Sequence, residues 1–319
     1  MIGGEVHGSK RYGENYPRRV AIVQDLRGSQ TRRLAMVLEP VAGQVYFAPE
    51  CHAAYAELGF SPSPGTLGGG VELPDGPAYF TSRGSVMGQV PGEVVAAAFA
   101  VFNPAVVVPA VEAGWSRVDA PTICDARTRG AVAQLVRILG AAPPGLSRVT
   151  ELLTAAVGPL RPEGKPLFAG LWSLGLPGEA VADAWRLTDL LREYRGDAHT
   201  AAWTTAGLDA TEIGLLTELY WGLPMRSYIR TRAWSEAELD EAEQRLEARG
   251  LVAGGGFTDN GRALRESVEV ATDAQCAVVV DTLGDGVEEL VELLAPWGAA
   301  IRAAGGYPPQ GPHDLAPVR

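Results

Sequence analysis

The sequence predicts a mainly α fold with short β ribbons, laid out as helical blocks that follow one another along the chain. Three observations carry this. Apolar residues recur at helical spacing in segment after segment. Strand signal is confined to a few short pieces. Two distant stretches also echo each other: Gly88 to Phe99, with Pro91-Gly92-Glu93, and Gly175 to Trp185, with Pro177-Gly178-Glu179.

Composition sets the outer limits. A chain of 319 residues, 46% apolar and 20% charged, can bury a substantial core and is long enough for two domain-sized units. Its net charge of −11 disfavours nucleic acid as a partner. The most apolar window, Val94–Val111, is interrupted by Asn103, Pro104 and Pro109, so no membrane span and a cytoplasmic location are expected. Cys51, Cys124 and Cys276 form no CxxC pair and read as buried free thiols, without a metal site or disulfide framework.

Taken in order, residues 1–30 read as a flexible extension in which Lys10, Arg11, Arg18 and Arg19 sit among Gly and Asn. Leu34, Val37, Leu38 and Val41 then mark a helix, and Ala53, Tyr55, Ala56 and Leu58 mark the next. Gly68-Gly69-Gly70 has no following Lys-Ser/Thr and is a flexible turn rather than a phosphate loop. Val71–Leu73 and Ala78–Phe80 are short strand candidates. Val132, Leu135, Val136 and Leu139 form a third stripe, and Val149, Leu152, Leu153 and Ala156 a fourth. Each of the two echoing stretches is followed by a Trp, Trp115 or Trp203, and then by a capping Asp, Asp119 or Asp209. The echo reads either as an internal duplication or as a compositional accident of an Ala-rich chain. A fainter third copy runs from Leu283 to Trp297.

The clearest local signature lies between Asp209 and Gly261. Asp209–Trp221 reads as a helix and Arg226–Ala233 as a short second element. Ser235 and Glu238 then form a capping box that opens a helix to Arg249, with Leu239, Ala242 and Leu246 on one face. Gly250 stops it, Leu251–Phe257 supplies a wing, and Thr258 caps the following helix. This order resembles the winged helix of multiple-antibiotic-resistance-type (MarR-like) regulators, and Arg245 to Val252 and Thr258 to Gly261 carry the resemblance. The departure is electrostatic. Glu236, Glu238, Asp240, Glu241, Glu243 and Glu247 face only Arg245 and Arg249, a net of −4 on the helix that would read DNA. The wing, Ala253 to Gly256, also lacks the Asp-Arg pair usual in those regulators. Arg226, Arg230, Arg232, Arg262 and Arg265 flank the helix and either reach phosphates or pair with its acids.

From about Arg32 to Tyr307 the chain also resembles a group of actinobacterial helix-turn-helix-like proteins, some labelled SalK-like. Tyr46 to Glu50, Tyr79 to Arg83 and Tyr194 to His199 carry the likeness. It implies tandem winged-helix-like units and an association with secondary metabolism, and it transfers no activity. The domains expected are a pocket-forming helical region over 31–203, a winged helix over 204–272, a helical segment over 273–303 and a flexible Pro-rich tail over 304–319.

Chemistry is expected in the densest polar run, Arg192 to His199. In a helix Arg195 and His199 share a face, and Glu193 and Asp197 share another. His199 would shuttle protons with Asp197 or Glu193 tuning it, while Arg195 or Arg192 anchors an anionic group. Tyr194 and Arg83 are further substrate-binding candidates. Asn103, a lone amide in an apolar run, needs a partner if buried. Tyr79, Phe80, Met87, Phe99 and Phe102 form either a pocket wall or plain core. Glu50-Cys51-His52 supplies too few ligands for a metal. The expected function is small-molecule binding, extending to cofactor-free acid–base catalysis, on a winged-helix scaffold that has lost DNA binding. The alternative is a ligand-responsive transcriptional regulator. A homodimer is compatible with either.

Overall fold

The computed structural model describes residues 16–67 and 70–308. The chain opens on α1 (Tyr16–Gly43), followed by α2 (Pro49–Glu57), α3 (Gly76–Gly84), α4 (Gly92–Phe99) and α5 (Pro104–Trp115). Then come α6 (Ala120–Leu139), α7 (Leu146–Val157), α8 (Pro166–Ser173) and the long α9 (Ala180–Thr205). The last third holds α10 (Ala210–Tyr220), a 3-10 turn (Ile229–Arg232), α11 (Glu236–Ala248) and the strands β1 (Val252–Ala253) and β2 (Gly256–Phe257). Two helices close the fold, α12 (Asp259–Leu283) and α13 (Gly286–Ala303). The mainly α expectation holds, and the two-stranded ribbon lies inside Leu251–Phe257 as anticipated, with Val252 opposite Phe257 and Ala253 opposite Gly256.

Helix starts follow side-chain chemistry. Asp75, Asn103, Asp119 and Thr258 each accept a backbone N–H as N-caps, and Asp209 and Ser235 complete capping boxes with Glu212 and Glu238. Gly250, at φ 66°, takes the left-handed conformation that stops α11 without the Cβ penalty of other residues. Gly130 has a different role. A Cβ there would lie 2.6 Å from the Cα of Cys51, so its absence lets α6 and α2 touch at backbone distance.

Helix α9 is the axis of the molecule. It packs against α1, α6, α7, α8 and α12, and it buries Trp185, Leu187, Leu190, Leu191, Tyr194 and Ala198. The main core forms around it. A second, smaller core joins Ala202 and Trp203 at the end of α9 to Leu215 and Leu216 of α10, Leu239, Ala242 and Leu246 of α11, and Val268 of α12. The expected domain limits therefore fall at 204, just before the end of one helix, and at 272, inside another. Both α9 and α12 run through the two cores.

Several local expectations are corrected. The expected extension over 1–30 overlaps α1 from Tyr16 onward, and residues 1–15 lie outside those described. Tyr307, expected in a flexible tail, is fully buried and donates from its hydroxyl to Glu39 at 3.0 Å; residues 309–319 lie outside those described. Ala78–Phe80 is helical within α3, because Asp75 caps a turn there and the aromatic side chains need a packed face. Val71–Leu73 contributes only an isolated bridge, Glu72 to Thr66. Of the triple glycine, residues 68 and 69 lie outside those described. The two echoing stretches open helices of 8 and 26 residues, α4 and α9.

Candidate functional site

A cavity of about 300 Å³ lies where the two cores meet, walled by α1, α9, α10, α12 and the 3-10 turn. Five polar residues of the run Arg192 to His199 on α9 form one side of it. Much of the wall is apolar, with Leu34, Leu38, Ile213, Val279 and Val280 facing it.

The run Arg192 to His199 divides between two environments. Arg192, Glu193, Tyr194, Arg195 and His199 line the cavity, and Asp197 does not. Arg83 grips Glu193 with two hydrogen bonds, Nε to Oε1 at 2.9 Å and Nη2 to Oε2 at 2.7 Å, and Arg192 adds a third at 2.9 Å. Burial alone would raise the Glu193 carboxyl, but the two guanidinium groups outweigh it and hold it at about 2. Arg192 also holds Glu39 on α1 at 3.1 Å. Arg195 spans Glu269 and Asp273 on α12, both at 2.9 Å. Glu269 is met in turn by Arg265 at 2.8 Å and is held at about 2 by its cationic neighbours against the effect of burial. The expected anion anchors Arg195 and Arg192 are thus already neutralised by carboxylates.

His199 is corrected in its partners. Its Nδ1 lies 3.2 Å from the Thr272 hydroxyl, which itself donates to the Val268 carbonyl at 2.8 Å. The Thr272 oxygen therefore accepts from Nδ1–H, and in the neutral ring Nε2 is left as an acceptor. Glu269 is 3.9 Å away. Neither Asp197 nor Glu193 bonds to the imidazole, since residues two or six apart on a helix do not face one another. Burial pushes His199 down to about 4, so the ring is neutral at pH 7. Asp197 points instead to α8, where it accepts the Phe168 N–H at 3.0 Å, and burial raises it to about 7. The Tyr194 hydroxyl donates to the Gln275 carbonyl.

Asn103 belongs to a joint, not to the cavity wall. Its side-chain oxygen caps α5, while its Nδ2 donates to the Ala233 carbonyl at 3.1 Å and to Glu238. Its backbone N–H meets the Arg232 carbonyl at 3.0 Å, and Trp234 Nε1 meets the Val101 carbonyl at 2.9 Å. Segment 100–103 therefore clamps the turn between α10 and α11. Both sides carry a non-glycine residue in the left-handed region, Ala100 at φ 54° and Ala233 at φ 63°. Tyr79, Phe80, Phe99 and Phe102 pack edge to face or tilted against one another as a core cluster. The His52 ring is held by Glu72 and the Tyr46 carbonyl, and all three cysteines are buried free thiols.

Other parts of the site were missed from the sequence. Among the described residues Trp221 Nε1 and Arg265 Nε have no acceptor, and both residues line the cavity. Arg232 lines it too, stacked on Phe102 and Tyr228 at 4.4 and 4.6 Å. In the sequence the flanking arginines are legible only through their relation to α11. There, Arg226 pairs with Glu236, Asp240 and Glu243, as the intramolecular alternative expected. Glu218 is a further omission. It is fully buried and accepts the backbone N–H groups of Arg226, Tyr228 and Ile229, organising the turn.

These elements define a mainly α protein with a helix-turn-helix unit, a short wing and a cavity between its two cores. A helix-turn-helix family model matches residues 31–308, and the chain belongs to that family. No curated protein and no solved structure matches it. Among the described residues no helix is long and apolar enough to cross a membrane.

Proposed function

We propose that this protein binds a small molecule in the cavity between its two cores, and that the helix-turn-helix unit serves as a wall of that cavity rather than as a DNA reader. The observation that carries the reading is the wall's unmet hydrogen-bonding capacity. Buried N–H groups are nearly always paired in folded proteins, yet among the described residues the Nε of Arg265 and the Nε1 of Trp221, two residues that line this cavity, have no acceptor. His199 Nε2 adds an acceptor on the same wall. A volume of about 300 Å³ lies at the small end of ligand pockets, roughly 300–1,000 Å³. The resemblance to SalK-like proteins suggests that the ligand comes from secondary metabolism.

Binding without turnover suits the residues best. A neutral His199 held by Thr272 can orient a ligand donor, but its low basicity and the absence of a carboxylate orienting it weaken a proton-shuttle role. The regulator alternative meets the charge of α11, whose Glu236, Asp240, Glu241 and Glu247 are exposed and would repel phosphate.

Thermal denaturation with a collection of small metabolites tests the reading, using wild type and the cavity-filling variant Ala35→Phe. A true ligand raises the midpoint of the wild type by several degrees and leaves the variant unmoved. Ligands that shift both alike, or none at all, would remove the proposal. Salt-steep binding to DNA at low ionic strength would restore the regulator instead.

A further inference from the structure

We infer that the cavity takes a small organic anion on an apolar body, with Arg232 as its counter-charge and Arg265 Nε–H and Trp221 Nε1–H as donors to its oxygens. This rests on the cavity reading above and adds the charge class of the ligand.

Charge balance around the wall isolates Arg232. Arg83 and Arg192 are answered by Glu193 and Glu39. Arg195 and Arg265 are answered by Glu269 and Asp273, the latter shared with Arg32, which also holds Glu266. Each carboxylate on the wall, Glu39, Glu193 and Glu269, already receives two or more donors. Arg232 has no carboxylate within ion-pair reach among the described residues. Its contacts are the Tyr228 hydroxyl and the faces of Phe102 and Tyr228. Aromatic faces hold a guanidinium in place without cancelling its charge.

The second observation is independent of charge counting. Arg265 is 1% exposed, and its Nε has no acceptor although Nη1 is bound to Glu269. Trp221 is half-buried, and its buried Nε1 likewise has no acceptor among the described residues. An indole N–H and a guanidinium N–H can only donate, so the missing group must be an acceptor. A carboxylate or comparable oxyanion supplies several lone pairs and also neutralises Arg232. A neutral apolar ligand would leave all three unmet, and a cation would be repelled. Leu34, Leu38, Ile213 and Val280 offer an apolar surface for the rest of the ligand.

Calorimetric titration of the full chain with 2-naphthoate and with its uncharged counterpart 2-naphthamide tests this. The wild type should bind the acid at least about tenfold more tightly than the amide. Arg232→Gln should erase that preference, leaving the amide affinity within about twofold. Ala35→Phe should weaken both. Equal affinities in the wild type, or a preference that survives in Arg232→Gln, overturn the inference while leaving the cavity reading intact. If neither compound binds, or Ala35→Phe binds both as before, the cavity reading fails and the inference with it. Should Arg232→Gln not fold, Trp221→Phe replaces it: a loss of about fivefold for the acid with no change for the amide is expected, and no loss overturns the inference.

Discussion

His199 and Asp197 sit two residues apart on one helix and carry opposite proton linkages. His199 protonates near 6.5 when unfolded and about 4 when folded, so between those values the unfolded chain holds the extra proton. Stability therefore falls as pH falls through that window. Asp197 titrates near 3.8 unfolded and about 7 folded, so the folded protein holds the extra proton and stability falls as pH rises. Each effect is on the order of 3 kcal/mol, and between pH 4 and 6.5 they oppose. Urea denaturation from pH 4.5 to 7.5 should show the balance removed in single variants. Asp197→Asn should lose stability toward acid, and His199→Gln should lose it toward neutral pH. Parallel profiles for the two variants would contradict the assignment. A second residue-scale expectation concerns Glu218. Glu218→Gln keeps the shape but replaces a charged acceptor of three backbone N–H groups with a neutral one. A loss of about 1–3 kcal/mol in the same denaturation experiment is expected.

At the scale of elements, α11 shows why a recognition-helix pattern need not make a recognition helix. Its buried stripe of Leu239, Ala242 and Leu246 does the packing required of the second helix in a helix-turn-helix. Its outer acids are partly answered by Arg226 on the preceding turn, while its own Arg245 and Arg249 reach back to Asp209 and Glu212 at the start of α10. Surface pairs of this kind add little stability, typically 0–1 kcal/mol each. Their effect is to spend the nearby arginines on the protein's own carboxylates. The turn ahead of α11 is fixed more firmly, clamped on one side by Glu218 and on the other by Asn103 and the Val101 carbonyl. Arg232 leaves that clamped turn and reaches the cavity, so a ligand held by Arg232 would also tie the helix-turn-helix unit to the bundle.

At the scale of the molecule, two cores share two helices. Because α9 and α12 each contribute buried side chains to both, neither core can lose its packing without exposing apolar surface in the other. Urea unfolding followed by circular dichroism and by tryptophan fluorescence should therefore give one coincident transition. Two separated midpoints would show that the cores melt independently.

Much of the architecture was legible in the chain. Period-3.6 stripes, capping residues such as Asp119, Asp209 and Ser235, and the Gly250 stop are local features, and local backbone chemistry is enough to read them. The density of charge on α9 was legible for the same reason, since an apolar helix interrupted by Arg192 to His199 must find partners for those groups. Which partners it finds was not. Glu39, Glu269 and Asp273 lie roughly 75–155 residues from the arginines they neutralise, and no spacing rule reaches that far. His199 therefore faces Thr272 rather than its sequence neighbours, and the arginines that looked free on α9 are taken. The sequence by itself determined where the helices run and where polar groups must be buried. Only the tertiary structure decided which of those groups cancel, because ion pairing depends on distance across helices, and so that, among the described residues, Arg232 is left without a carboxylate and the Arg265 Nε and Trp221 Nε1 without an acceptor.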